Sequence, residues 1–485
     1  MTLLDPSLWQ GKAFSSGWRE VSGGTAAVTE PATGKQLGTI GIASPVDVSV
    51  ATAAAAAAQP SWAATPYTQR ASILRKAGEV WLAHAAEIED WNVRESGKIV
   101  PAAGFETHVA TEEVFEAATL PSRPYGDLLP SESPQLSFAE RVPVGVVGVI
   151  SPFNFPQILA IRSVAPALAL GNAVVLKPDP RTAVCGGVVL ARVFEEAGLP
   201  DGLLHVLPGG ADVGETIVTD PLVSVVSFTG STAAGRKVGA LAGQHLKRVH
   251  LELGGNSALI ILDDADLDAA ASAGAWGSFL HQGQICMTTG RHIVADAVYD
   301  DYVGRLAEKA GNLPVGDPAS GQVALGPLID ERQRDKVHAL VTGSVDAGAK
   351  LAAGGSYERL FYRPTVLAEV APSMPAYANE VFGPVAPVIR FSDFDEVAKL
   401  AADSEYGLSL GILTRDVMRG LELARKIPTG IVHINDQTVD DSPNTPFGGV
   451  RASGTGARFG GSANLDAFTD TRWVTIRGDI ARYPF

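Results

Sequence analysis

The feature that most restricts the fold is a succession of short β-branched runs separated by helical stretches, at residues 143–151, 173–176, 203–207 and 223–228. Strands of this length, alternating with helices, form a parallel sheet covered on both faces. After Gly255 a second set opens at 258–262 and continues with a helix near 266–280 and strands around 291–295, 365–370 and 431–434. The chain is therefore expected to be α/β, with two such sheets. At 485 residues and 46% hydrophobic content it can bury more than one core.

The flanks read differently. Residues 1–45 carry scattered Gly, Thr and Pro with short apolar pairs, which suggests a small β-rich opening. From 47 to about 118 the pattern is helical: Ser44-Pro45 is N-cap-like, an alanine tract fills 53–58, and Ile73, Leu74, Ala77, Val80, Trp81 and His84 recur at three and four spacing. Residues 123–143 are polar and proline-punctuated, with an extended strand suggested at 135–139. The tail from about 465 ends in a strand of alternating exposure at 472–477.

Charge and cysteine content narrow the function. A formal net charge of −15 leaves no basic stripe to replace counterions on phosphates, so no nucleic-acid partner is expected. Two cysteines, Cys185 and Cys286, give no disulfide framework and point to a reducing compartment. The opening MTLLDPSLWQGK lacks a signal pattern, and no apolar run approaches the ~20 residues of a membrane span. A cytoplasmic protein without a membrane partner is expected.

Cys286 stands in His281-Gln282-Gly283-Gln284-Ile285-Cys286-Met287-Thr288-Thr289-Gly290-Arg291, after an apolar run at 273–280. A loop of small and flexible residues can expose a thiolate and aim the cysteine's own N–H at a substrate oxygen. A lone cysteine is more often plain core, but Glu252 precedes it by thirty-four positions in Leu251-Glu252-Leu253-Gly254-Gly255. That carboxylate is a candidate base, and the two glycines are expected to let the chain turn sharply.

Together GQICMTTGR and LELGGNS resemble the two signature stretches of the NAD(P)-dependent aldehyde dehydrogenase superfamily, in its order and spacing. SPFNFP at 151–156, LKPDP at 176–180, FTGSTAAG at 228–235, EVFGPV at 380–385 and TPFGG at 445–449 extend the resemblance over nearly the whole chain. It implies a Rossmann-like NAD(P)-binding domain at 1–122 and 144–253, a catalytic α/β domain at 254–446, and bridging segments at 123–143 and 465–485 that build a homodimer or homotetramer.

The resemblance also distributes roles. Cys286 would attack the aldehyde carbonyl, because a bare aldehyde offers no sp³ C–H from which hydride can leave; the thiohemiacetal then becomes a thioester. Asn154, with the Cys286 backbone N–H, matches the oxyanion donors, and Glu252 matches the base for the hydrolytic water. Because relatives that transfer the acyl group to coenzyme A lack this glutamate, release of a free acid is expected. For NAD or NADP, the matching positions are Pro152, Phe153, Lys177, Thr229, Gly230, Ser231, Glu380 and Phe382; Ser231 and the helix after it can meet pyrophosphate. No metal is expected. Phe155, Arg162, Phe279, Ile285, Met287 and Phe447 fall at or beside positions lining the family's aldehyde tunnel. His281 is expected to be structural and Cys185 to be packing.

Phe153 stands where a tryptophan is common, Asn256 where a lysine usually follows LELGG, Arg162 where many members carry a bulky apolar residue, and Pro180 where an acid is frequent. With KPDPRTAVCGG these departures resemble the benzaldehyde dehydrogenase branch, then vanillin and salicylaldehyde dehydrogenases, so an aromatic aldehyde is the expected substrate. Arg162 keeps open a carboxylated semialdehyde. A non-catalytic relative is the third reading, against which Cys286, Glu252 and Asn154 all stand. Pro180 offers no acceptor to the adenosine ribose, so acceptance of both NAD and NADP is expected, unless Asp179 takes over that role.

Overall fold

The computed structural model describes residues 2–485. Its first sheet runs in the order Arg248–Glu252, Val223–Thr229, Val146–Ile150, Ala173–Lys177, Leu204–Val206, Ala13–Ser15, Trp18–Arg19. The first five strands are parallel, as their spacing predicted. Ala13–Ser15 joins Leu204–Val206 antiparallel, so the N-terminal segment completes the large sheet as well as forming the separate hairpin of Thr25–Thr29 and Gln36–Gly41.

The second sheet runs Lys350–Ala353, Thr365–Ala368, Val385–Phe391, Thr289–Ala295, Ser257–Ile261, Ser409–Leu413, Ile431–Ile434. Only Lys350–Ala353 is antiparallel to its neighbour. Along the central strand and its continuation, Leu259 and Ile261 enter one core while Ala258, Ile260 and Leu262 enter another. A sheet buried on both faces needs such an unbroken apolar run. Val385–Phe391 and Ser409–Leu413 escape the periodicity because Pro387 and Gly411 interrupt them. Pro387 is tolerated where pairing changes sides: residues 385–387 pair with 365–367, and 388–391 pair with 292–295.

Residues 47–118 fold into the helices Pro45–Ala64, Tyr67–Ala83, Ala85–Ser96 and Val100–Ala117. Ser44 caps the first in a full capping box with Asp47, whose Oδ2 accepts the Ser44 N–H at 2.8 Å. Thr469–Ile476, Leu136–Pro143 and Gly126–Leu128 form an antiparallel three-stranded sheet. The helix Ala463–Phe468 precedes Thr469–Ile476 and sinks Phe468 into the core beneath the first sheet. No helix among the described residues is long and apolar enough to cross a membrane.

Candidate active site

The first sheet presents the C-terminal ends of its parallel strands to a cleft, as open α/β sheets do, and the second sheet meets the same cleft with the N-terminal ends of its strands, where Gly254, Cys286 and Phe382 precede Ser257–Ile261, Thr289–Ala295 and Val385–Phe391. From the strand Val146–Ile150 the chain passes through Ser151–Phe155 (SPFNF) into the helix Pro156–Ala169, which has Pro156 at its first turn and every residue buried. Val223–Thr229 turns at Gly230-Ser231 into the helix Thr232–Gln244, with Ser231 as N-cap. The Gly230 N–H donates to the Glu252 carbonyl at 3.0 Å and ties this turn to the end of the adjacent strand.

Two cavities meet here. One, of about 620 Å³, is lined by all eight residues matched to cofactor binding: Pro152, Phe153, Lys177, Thr229, Gly230, Ser231, Glu380 and Phe382. The other, of about 480 Å³, is lined by Phe155, Arg162, Ile285, Met287 and Phe447, with Phe105, Ile158 and Trp276 among the further apolar walls. Cys286, Asn154 and Leu159 border both. Phe279 does not reach this second cavity; it lines a neighbouring hollow that shares Ile99, Trp276 and Leu280 with it. His281 is buried and lines neither, with its ring edge-on to Phe155, and Cys185 is buried, giving the Glu95 carboxylate its backbone N–H. Among the described residues no cluster of His, Cys, Asp or Glu could hold a metal ion.

The first cavity suits a dinucleotide. The N-terminus of a thirteen-residue helix, capped by Ser231, opens beside it, and so does the Lys177 ammonium. Phe153 packs edge-on to Phe382 at 6.0 Å, and Glu380 Oε1 accepts the Gly255 N–H at 3.0 Å. Burial pushes the Glu380 carboxyl up to about 7.

Strain and close approach set the nucleophile loop. His281, Gln282 and Gly283 have φ of +47°, +57° and +66°, left-handed values that are costly for the first two. Gln282 holds the bend by donating to the carbonyls of Gly97 and Pro327 at 3.0 and 2.8 Å. Gly254 and Gly255 serve a different purpose from the sharp turn expected of them, since neither has a positive φ. A Cβ at Gly254 would lie 2.5 Å from Glu380 Oε2, and one at Gly255 would lie 2.2 Å from the Cys286 carbonyl oxygen. They are small because the loops bearing Glu380 and Cys286 press against them.

The electrostatics correct one expectation. Cys286 is partly exposed, but burial of its thiol, reinforced by Glu380 and Glu252, pushes it up to about 12, so the resting group is a thiol. Glu252 is 4% exposed, borders neither cavity, and has no partner for either carboxylate oxygen. Burial holds its carboxyl well above the usual range, against the pull of Arg162 and Arg458. Asn154 Nδ2 donates to the Gln284 carbonyl at 2.9 Å, which fixes the amide and leaves its second N–H free of that bond.

Lys98, Glu106, Glu113 and Asp441 shape the site without a sequence signal. Lys98, fully buried, places its ammonium on the Asn154 backbone carbonyl and 2.8 Å from Glu106 Oε2. Arg162 pairs with Glu113 at 3.3 Å and with Asp441, while its guanidinium carbon lies 4.5 Å from the Phe447 ring centroid. Burial raises the Glu113 carboxyl to about 7 against the opposing Arg162 charge.

Comparisons with known proteins find relatives along the whole chain. The chain is 68% identical to a vanillin dehydrogenase of Amycolatopsis sp., covering all of both chains. It is 52% identical to the NAD(+) benzaldehyde dehydrogenase of Pseudomonas putida, over 99% of this chain and 98% of that one. Among solved structures, a salicylaldehyde dehydrogenase from Pseudomonas putida G7 complexed with salicylaldehyde superposes with a TM-score of 0.95 at 35% identity, covering 98% of this chain and 100% of that one. The aldehyde dehydrogenase family model matches residues 18–474, a span that holds Cys286, Glu252, Asn154 and both cavities, and the chain belongs to that family.

Proposed function

We propose that this protein oxidises aromatic aldehydes to carboxylic acids with NAD or NADP, through a thiohemiacetal and then a thioester on Cys286. The carrying observation is that Cys286 and Asn154 stand where a cofactor-shaped cavity meets a cavity walled by Phe105, Phe155, Ile285, Met287 and Phe447. Relatives named for vanillin and benzaldehyde, at 68% and 52% identity, support the substrate class.

Cys286 is the nucleophile and must shed its proton before attack. The Cys286 N–H and the free N–H of Asn154 receive the oxyanion, and removal of one such donor typically costs about 3 kcal/mol of transition-state stabilisation. The bound nicotinamide would supply the hydride acceptor. Glu252 takes a proton from the water that cleaves the thioester, a step that requires its carboxyl, which burial holds above the usual range, to be ionised. Reaching that water requires the carboxylate to move toward the cavity.

A carboxylated semialdehyde fits less well, because Arg162 already carries Glu113 and Asp441. We further assign residues 1–122 with 144–253 to cofactor binding and 254–446 to catalysis. Exposed Leu128, Leu136, Trp473 and Ile476 on the three-stranded sheet support a homodimer or homotetramer, and two unpaired cysteines support a cytoplasmic location. Reduction of NAD or NADP with benzaldehyde, vanillin, acetaldehyde and succinic semialdehyde tests the reading. The aromatic pair is expected to give the highest kcat/KM, and a preference for succinic semialdehyde overturns it.

A further inference from the structure

Resting on the hydrolytic reading of Glu252, we propose that Arg458 is a positioning residue for acid release: it supplies the counter-charge that lets the buried Glu252 carboxyl ionise once the thioester has formed. The backbone brings the two together. Phe447 and Phe459 exchange both backbone hydrogen bonds at 2.9 Å and close a loop, which lies on the end of the strand Arg248–Glu252. The Leu253 N–H donates to the Ser453 carbonyl at 2.9 Å, and Glu252 bridges antiparallel to Gly454. A Cβ on Gly448 would stand 2.9 Å from Glu252 Oε1 and 3.0 Å from Arg458 Cδ, so carboxyl and arginine flank one glycine.

The other charges facing Glu252 are already answered or silent. Arg162, from the helix Pro156–Ala169, carries Glu113 and Asp441. His250, two residues earlier on the same strand, is buried, and burial pushes its imidazole down to about 4, so it is neutral. Cys286 bears no charge as the thioester. Arg458 differs: it bonds the backbone carbonyls of Gly449 and Ala457 at 3.2 and 3.0 Å, and among the described residues no carboxylate pairs with it. Neither Glu252 oxygen has a hydrogen-bond partner within normal reach, so its charge is answered chiefly across space. Burial raises the carboxyl, Arg162 and Arg458 pull it back, and Asp441 opposes them. With Arg162 neutralised by its own two carboxylates, Arg458 is the cation left to favour the ionised base. In the step it serves, water gives a proton to Glu252 as its oxygen adds to the thioester carbon. The C–S bond then breaks to release the acid, and the proton on Glu252 passes to the Cys286 sulfur.

The test follows decay of the acyl-enzyme after holoenzyme is mixed with benzaldehyde and NAD, by acid quench and mass of the peptide bearing Cys286, from about pH 5.5 to about 9.5. The rate in Glu252→Gln is subtracted as hydrolysis without the base. Arg458→Gln should move the midpoint of the remaining profile upward by about half a pH unit or more, because the protonated side chain has lost the charge that favoured its ionisation. The burst of reduced cofactor should keep its amplitude, which shows the variant folded. Arg458→Lys restores the cation without the guanidinium fork and should return the midpoint to within about 0.3 unit of the parent. A role confined to holding the loop would slow hydrolysis at every pH and leave the midpoint in place. Where hydrolysis is too fast to follow, the same midpoint is read from the protonated-carboxyl infrared band that Glu252→Gln lacks. An unmoved midpoint in Arg458→Gln, or a shift that lysine does not reverse, overturns this inference alone. Absence of an acyl group on Cys286 in Glu252→Gln overturns the broader reading instead.

Discussion

The Lys98 ammonium rests on the backbone carbonyl of Asn154, joining a wholly buried cation to the residue assigned to receive the oxyanion. Glu106 answers the charge at 2.8 Å and also accepts the Gln157 N–H at 2.8 Å, so one ion pair pins the loop and the start of the helix that follows it. Lys98→Met leaves Glu106 buried and unpaired, and loss of one partner of a buried pair costs about 3–5 kcal/mol. Denaturant unfolding should show a loss of that order, and Lys98→Met combined with Glu106→Gln should recover part of it. An unchanged midpoint in the single variant contradicts the pairing.

The cofactor turn carries a second expectation. Asp179, the residue expected to substitute for the missing acid at Pro180, lines the cofactor cavity, but Arg181 holds both its oxygens at 2.9 and 2.8 Å. Arg181 lines the same cavity and also reaches Asp330 at 2.7 Å. With the carboxylate neutralised and Lys177 close by, NADP should be accepted with kcat/KM within about a hundredfold of NAD. Arg181→Ser frees Asp179 to repel a 2′-phosphate and should move the ratio toward NAD. A parent with no measurable NADP turnover contradicts this reading of the turn.

Burial of the Cys286 thiol makes its chemistry pH-dependent. In the cofactor-free protein, iodoacetamide labelling of Cys286, followed by peptide mass, should be slow near neutrality and rise about tenfold per pH unit toward about 12, as the thiolate fraction grows. The same shift bears on stability. The unfolded thiol ionises near 8.5 and the folded one near 12, so between these values the folded state holds more protons, and this contribution is full below about 8.5 and lost as pH rises toward 12. Rapid labelling at pH 7 in the absence of cofactor contradicts the burial argument.

Much of the fold was legible because the strands are short apolar runs closed by turns, and the motifs stand at those turns. SPFNFP and FTGSTAAG mark places where the chain leaves the first sheet toward the cleft, and the Cys286 loop marks the place where it enters a strand of the second. What the sequence concealed is long-range. Arg162 meets Asp441 across 279 positions, and Lys98 meets Asn154 across 56, with no local pattern marking either. A lone lysine or glutamate in a helical stretch reads as solvated surface, and only packing shows Lys98 and Glu106 at the centre. Pro387 and Gly411 hid two strands for a local reason: neither residue favours a ladder, and both were accommodated by context. Gly254 and Gly255 were visible as glycines, but the neighbours that exclude a side chain there come from residues 286 and 380.

Glu252 gives the remaining prediction its form. On the proposed mechanism the acyl-enzyme forms without Glu252 and then waits for the water that Glu252 activates. Glu252→Gln should therefore keep a fast burst of reduced cofactor and slow acid release by about a hundredfold or more. Equal slowing of both phases under rapid mixing contradicts the assignment.

The accumulating species in that variant gives the most direct test of catalysis through Cys286. Glu252→Gln mixed with benzaldehyde and NAD, quenched in acid and digested, should yield a benzoyl thioester on the peptide bearing Cys286, and the same treatment of Cys286→Ala should yield no acyl peptide and no burst. An acyl group on another residue, or Cys286→Ala oxidising benzaldehyde within about tenfold of the parent rate, contradicts the account.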